Sequence, residues 1–145
     1  MKAQNKSLRN KLLEYLNTRN EYLLNALELA GKGKLRKASE LLWGAVALQI
    51  KLLALAKKNL KLATHKDLRM FMIQLAKELE DPQLYKTFQL VERLHANFYD
   101  EILDPENFNL YLQEALKLIK KLEQLLKHSR TTQSSHHTKN TTNKT

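Results

Sequence analysis

The sequence predicts an all-α fold, a single antiparallel bundle of about five helices. Three observations carry this. Only three Gly and two Pro occur among 145 residues, while Leu, Ala and Lys, all good helix formers, dominate. Apolar residues recur at three- and four-residue steps over long stretches, and no Val/Ile/Thr-rich alternating run marks a strand. The length suits one domain with enough chain to bury a core.

A first helix starts near Lys6 and runs towards Ala30. Leu8, Leu12, Leu16, Leu23, Leu27 and Ala30 trace its expected buried stripe. The run Gly31-Lys32-Gly33-Lys34 stops it, because glycine reaches a left-handed cap conformation at low steric cost. The second helix is expected at about 34 to 58. Leu35, Ala38, Leu42, Ala45, Val46, Gln49/Ile50 and Leu53 mark one face, which Leu41, Leu48, Leu52 and Leu55 broaden. A helix apolar over so much of its circumference belongs at the centre.

Thr64, with Asp67 three residues later, reads as a capping box opening a third helix over about 65 to 80. Its core positions are Leu68, Met72, Leu75, Ala76 and Leu79. Asp81-Pro82 and Asp104-Pro105 open the fourth and fifth: Asp caps, and Pro fits the first helical position, where its missing N–H leaves nothing unpaired. Phe108, Leu112, Ala115, Ile119, Leu122 and Leu126 form a seam on the fifth helix that fits either the bundle or a second copy. From Ser129 to Thr145 no aliphatic or aromatic residue appears. Such a segment cannot offset its ordering entropy, so the organisation expected is a bundle over 1–128 and a disordered basic polar tail over 129–145.

The composition also excludes several function classes. Without cysteine there is no disulfide, thiolate metal site or cysteine nucleophile. No apolar run approaches the ~20 residues of a membrane span and no signal-peptide core opens the chain, so a soluble, cytoplasmic protein without membrane contact is expected. The net charge of +10 is unevenly spread: 15 Lys/Arg face 5 Asp/Glu over 1–70, 3 face 9 over 71–116, and 7 face 1 over 117–145. That polarity attracts phosphates at one end and a basic partner at the other, or it is a solvated lysine-rich surface. Lys32, Lys34, Arg36 and Lys37 open the second helix, where cations oppose the helix dipole. Four there argue for an anionic partner.

Two stretches are more specific: KASELLWGAVALQIKLLA over 37–54 and LHANFYDEIL over 94–103. Ala26 through Gly31, Lys37-Ala38, Leu42-Trp43-Gly44-Ala45, Lys51, Leu53-Ala54, Thr64-His65, Leu94-His95 and Asn97-Phe98-Tyr99 together resemble the archaeal PaREP family, branches one and eight, over about 20–126. That family is similar in fold to HEPN helical-bundle domains. The resemblance implies a HEPN-like bundle, a homodimer and an archaeal cytosolic setting. It also implies a range of roles: metal-independent ribonucleases of toxin systems, partners of small nucleotidyltransferases, and binders of nucleotides or small substrates.

The nuclease branch needs an Arg followed, four to six residues on, by a His. Here Arg93 and His95 stand two apart, about 200° around a helix, and do not converge on one phosphate. The formal match of Arg130 with His136 or His137 falls in the tail, which holds no fixed geometry. His95 and Tyr99 share a helix face that Glu92 continues, while Asn97 and Asp100 share another with Arg93. His95 with Tyr99 reads either as a buried aromatic corner or as part of a site. No second ligand completes a metal set with His95 at any usual spacing, and no cofactor is implied. Gly44 marks the close approach of another backbone or a ligand, with Trp43 filling the adjoining groove. Lys51, two turns on, is either an anion contact or a lysine with its stem along an apolar surface.

The expected function is therefore a non-catalytic binding module for an anionic ligand, nucleotide or RNA, or for a nucleotidyltransferase-type protein. The contacts expected are Lys34, Arg36, Lys37, Lys51, Trp43, His95, Asn97 and Tyr99. The alternative is a metal-independent ribonuclease using His95.

Overall fold

The computed structural model describes the backbone of residues 2–100 and 104–142 and the side chains of 6–95 and 104–127. It contains α1 (Lys2–Gly31), α2 (Leu35–Lys58), α3 (His65–Glu78), α4 (Pro82–Asp100) and α5 (Pro105–Thr142), with no strand among the described residues. The expected disordered tail begins at Ser129, where the side chains lie outside the described residues. The packed part of α5 reaches Leu125 and Leu126, both partly buried against the core.

The helix ends obey local chemistry. After α1, Gly33 takes φ 76°, Lys34 N–H donates to the Leu29 carbonyl (2.9 Å) and Gly33 N–H to that of Ala30 (3.0 Å). That pair of bonds is a Schellman stop. The same pair ends α3, from Asp81 to Ala76 (2.9 Å) and from Glu80 to Lys77 (3.1 Å), but there the left-handed position is Glu80, φ 52°. Thr64 and Asp67 form the reciprocal capping box, Thr64 Oγ1 accepting from Asp67 N–H and Asp67 Oδ2 from Thr64 N–H, both 3.1 Å. The N–H groups of Ala63 and Thr64 hold the Asp67 carboxyl below its ordinary 3.8. Asp81 Oδ1 accepts from Leu84 N–H (3.3 Å) and Asp104 Oδ1 from Asn107 N–H (2.8 Å), so both Asp-Pro starts cap as expected.

The central helix is α2. It packs against each of the other four, most extensively against α1. Leu42, Val46, Ile50 and Leu53 are fully buried, and the core is completed by Met72 and Leu75 of α3, Phe88, Val91 and Leu94 of α4, and Ala115, Leu118 and Leu122 of α5. The α5 seam is thereby settled as intramolecular: it lies on α2 and α4. By length and apolarity α2 does pass for a membrane span, contrary to the expectation above, because Glu40 and Lys51 only punctuate an otherwise apolar stretch. Two-thirds of that stretch is covered by the other helices, which makes it the core helix of this bundle.

On α1 the expected stripe is corrected. Leu27 is 43% exposed, whereas Ala26 is fully buried and Arg19 is 8% exposed. At about 100° per residue, nineteen steps from Leu8 carry Leu27 roughly a quarter-turn off the face that Leu8 starts. Arg19 and Ala26, eleven and eighteen steps from Leu8, fall within about 20° of that face and are the residues buried there. The tight approach at Gly44 also resolves: a Cβ there would lie 2.9 Å from Tyr22 Cδ2 and 3.1 Å from Cε2. A tyrosine ring of α1, neither a backbone nor a ligand, occupies the space that Gly44 leaves.

Candidate functional site

Three rings from three helices meet at one place. Trp43 of α2 lies with its ring centroid 5.2 Å from that of His65, the first residue of α3, and 6.0 Å from that of His95, late in α4. The two imidazoles stack on each other at 5.4 Å with planes 25° apart. Phe88, one turn before Glu92 on α4, closes the inner side of Trp43 at 6.0 Å. Trp43 is buried and His95 exposed, so the cluster is a wall of rings reaching from the core to the surface.

A carboxylate fixes it. Glu92, its side chain 16% exposed, pairs through Oε2 with His65 Nε2 and also accepts from Arg69 Nε at 2.5 Å. His65 and Arg69 are four residues apart on α3, so they present one face to α4, and Glu92 reaches both. The hydrogen bond from Arg69 to Glu92 keeps that guanidinium more firmly protonated than usual. Arg69 itself is exposed. The arrangement offers flat π-surfaces, two imidazoles and a permanent cation within one patch, which suits a planar anionic group. Among the described residues no set of three His, Cys, Asp or Glu is placed to hold a metal ion.

Of the residues expected at a site, the structure brings together Trp43 and His95. Lys34, Arg36 and Lys37 are exposed around the start of α2, with Arg36 two turns before Trp43 on the same face. Lys51 is half-buried two turns past Gly44, on the α1 side of α2, away from the rings. Asn97 and Tyr99 lie on the α4 backbone, but their side chains fall outside the described residues. The sequence reading missed His65, Glu92 and Arg69 as a group. The one signal was a histidine directly after a capping threonine, at a helix start where its ring reaches a neighbouring element.

A second polar cluster sits beneath α1. Arg19 Nη1 donates to Gln49 Oε1 (2.5 Å) and Glu123 Oε1 (2.6 Å), while Nη2 and Nε donate to Asn20 Oδ1 (2.6 and 3.1 Å). Gln49 is fully buried and its Nε2 has no partner among the described residues. Arg19 and Glu123 also line a groove of about 340 Å³ with Leu12, Leu16, Leu52 and Leu126.

A family model described as the archaeal PaREP1/PaREP8 family matches residues 14–119. The chain belongs to that family. Among solved structures, this PaREP1/PaREP8 chain is similar to the crystal structure of a protein from Sulfolobus solfataricus. The identity is 23%, the match covers 74% of this chain and 94% of that one, and the TM-score is 0.60. At that identity the likeness shows the bundle fold. No curated protein matches the chain. The matched segment holds Trp43, His65, Arg69, Glu92 and His95, so the ring cluster lies wholly within the family's own domain.

Proposed function

We propose that this protein is a binding module for an anionic ligand with a planar ring, a nucleotide or the bases of an RNA strand, and that the Trp43–His65–His95 wall is where it binds. The observation that supports this most is the stacked pair of imidazoles beside Arg69, a cation held in place by Glu92. A base has a π-face for the exposed His95 ring, and a phosphate has Arg69, with Arg36 further along the Trp43 face. The surplus of Lys and Arg over residues 1–70 adds long-range attraction. HEPN-like bundles serve such roles in cytoplasmic settings, including as partners of nucleotidyltransferases, and the resemblance agrees with this reading.

Trp43 is the only tryptophan and lies in the cluster, so its fluorescence reports occupancy directly. Titration with adenosine phosphates and a short single-stranded RNA at low salt is expected to change its emission saturably. Affinity should fall steeply with salt, because each neutralised phosphate releases counterions. His65→Ala and Arg69→Ala are each expected to weaken binding by roughly tenfold, as a stacking partner or charge-assisted contact contributes. An emission that ignores every polyanion at low salt defeats the proposal.

One observation favours a second reading. Two imidazoles 5.4 Å apart, one of them held by a carboxylate, are the parts of an acid–base pair for phosphodiester cleavage. On that reading one imidazole takes the proton of a ribose 2′-OH while the other protonates the departing 5′-oxygen, and His95 is the exposed partner. Metal-free RNA cleavage that disappears in His95→Ala would replace the binding module by this ribonuclease.

A further inference from the structure

We infer that the leucine-lined groove between α1, α2 and α5 binds an aliphatic carboxylate, its tail along the leucines and its head on Arg19. The groove has a volume of about 340 Å³. Leu12 and Leu16 of α1, Leu52 and Ala56 of α2 and Leu126 of α5 form its walls. The other α1 residues lining it all precede Arg19, both α2 residues follow Gln49, and the other two α5 residues follow Glu123. The polar cluster of Arg19, Gln49 and Glu123 therefore closes one end, and the apolar part runs away from it. From Arg19 to Arg9 the groove follows ten residues of α1, about 15 Å. Its shape is a slot for a single aliphatic chain of medium length, as in decanoate. The ring cluster is built from α2, α3 and α4, so the inference does not depend on what that cluster binds.

Charge and hydrogen bonding select the head. Arg9, Arg19 and Lys127 border the groove against one carboxylate, Glu123, so its field is positive. The Glu123 carboxylate, 2.6 Å from Arg19 Nη1, shows that such a group fits on this guanidinium. Glu123 is partly exposed and turns to water at little cost, which frees its position for the carboxylate of a ligand. Gln49 shares a face of α2 with Ala56, seven residues on and about 20° round the helix. It is fully buried, with Oε1 taken by Arg19 and Nε2 without a partner among the described residues. A buried donor left unpaired is costly, and a ligand oxygen at the closed end of the groove supplies the acceptor. Residues 129–145 carry no aliphatic or aromatic side chain and offer nothing to lie along the leucines. A small amphipathic acid is thus the occupant that the charges and the apolar walls select.

The test is isothermal titration calorimetry of the full chain with octanoate, decanoate and dodecanoate, each kept below its micelle concentration. Saturable binding is expected, about fourfold tighter for each methylene added until the tail outgrows the groove. Decanol, with the same tail and no charge, should bind at least about tenfold more weakly than decanoate. Arg19→Met should remove that preference and leave acid and alcohol about equal. Glu123→Gln removes the competing carboxylate and should tighten decanoate by a factor of about 3 to 10 without changing decanol. Ala56→Phe fills the groove from an exposed position and should weaken dodecanoate at least about tenfold. These last two variants should keep their helix content by circular dichroism, so they decide the matter if Arg19→Met is unstable. The inference is overturned by an absence of saturable binding or by an affinity indifferent to chain length. It is equally overturned by a preference for acid that survives Arg19→Met, or by decanoate binding that neither Glu123→Gln nor Ala56→Phe moves.

Discussion

Replacing Arg19 by Met would test whether the polar cluster beneath α1 acts as a unit. Met keeps an unbranched apolar stem of similar reach, so the packing change is small. What goes is the guanidinium, and with it the bond to Gln49 Oε1 at 2.5 Å. Gln49 is fully buried and its Nε2 already lacks a partner among the described residues, so the whole carboxamide is left dry and unpaired. That costs about 1–3 kcal/mol. The side chain of Glu123, 37% exposed, turns to water and adds well under ~1 kcal/mol. The expected loss is therefore about 2 kcal/mol. Gln49→Leu alone should cost about 1 kcal/mol, because Arg19 keeps Glu123 and Asn20. Combined, the two changes remove the stranded amide together with the buried charge, and the double variant should fall within about 1 kcal/mol of wild type. Urea denaturation followed by far-ultraviolet circular dichroism measures all four corners of the cycle. Single losses that add to within about 0.5 kcal/mol would refute the coupling and show three independent contacts.

Other perturbations follow from the same geometry. Glu80→Gly should raise stability by roughly 0.5–1 kcal/mol, because a glycine takes the left-handed φ of 52° without the Cβ strain, and an unchanged or lower urea midpoint would contradict this. Gly44→Ala should destabilise by roughly 1–2 kcal/mol despite a helix-propensity gain of about 1, since its Cβ meets the Tyr22 ring at 2.9 Å; made in a Tyr22→Ala background, the same change should become stabilising. The folded-state pKa of Asp67 is depressed, chiefly by the Ala63 and Thr64 N–H groups, and so is that of Glu78 beside Lys58. Each contributes stability that is complete above its unfolded pKa and lost as pH falls through the folded one. Thermal scans between about pH 6 and 2 should therefore show Tm falling in the acid range, less steeply for Asp67→Asn; a slope identical to wild type would dismiss the cap as a source of acid sensitivity.

The elements were legible because their signals are local. The capping box at Thr64, the Asp-Pro starts and the Gly-rich stop each act within a few residues; α2 and α3 begin and end within two residues of the expected bounds, and α4 and α5 begin at the prolines expected to open them. The central role of α2 was legible from its wide apolar face. The site was legible only in pieces. His95 and Trp43 drew attention as residues an amphipathic helix has no need of, but their meeting with His65, and the hold of Glu92 on His65 and Arg69, join positions 22 to 30 residues apart. No periodicity within one helix encodes such a pairing. Arg19 left a trace that could have been followed: the leucine steps of α1 run 8, 12, 16, then 23, and the slot skipped between Leu16 and Leu23 holds an arginine or an asparagine. A charged side chain in a buried stripe asks for a partner, and the partner lies 104 residues further along the chain.

The apolarity of α2 bears on how the chain behaves before it is finished. Synthesis delivers α1 and α2 first, and these two form a local hairpin that covers one flank of the most apolar segment in the protein. The flank that meets α4 and α5 stays bare until Phe88, Leu94, Leu118 and Leu122 have been made. A nascent or prematurely terminated chain thus displays a stretch with the hydropathy of a membrane anchor and nothing to lay over it. Such fragments are expected to be substrates for chaperones and proteases, or to adhere to bilayers, so selection on this sequence acts on the speed with which its last helix closes the bundle as well as on the finished fold.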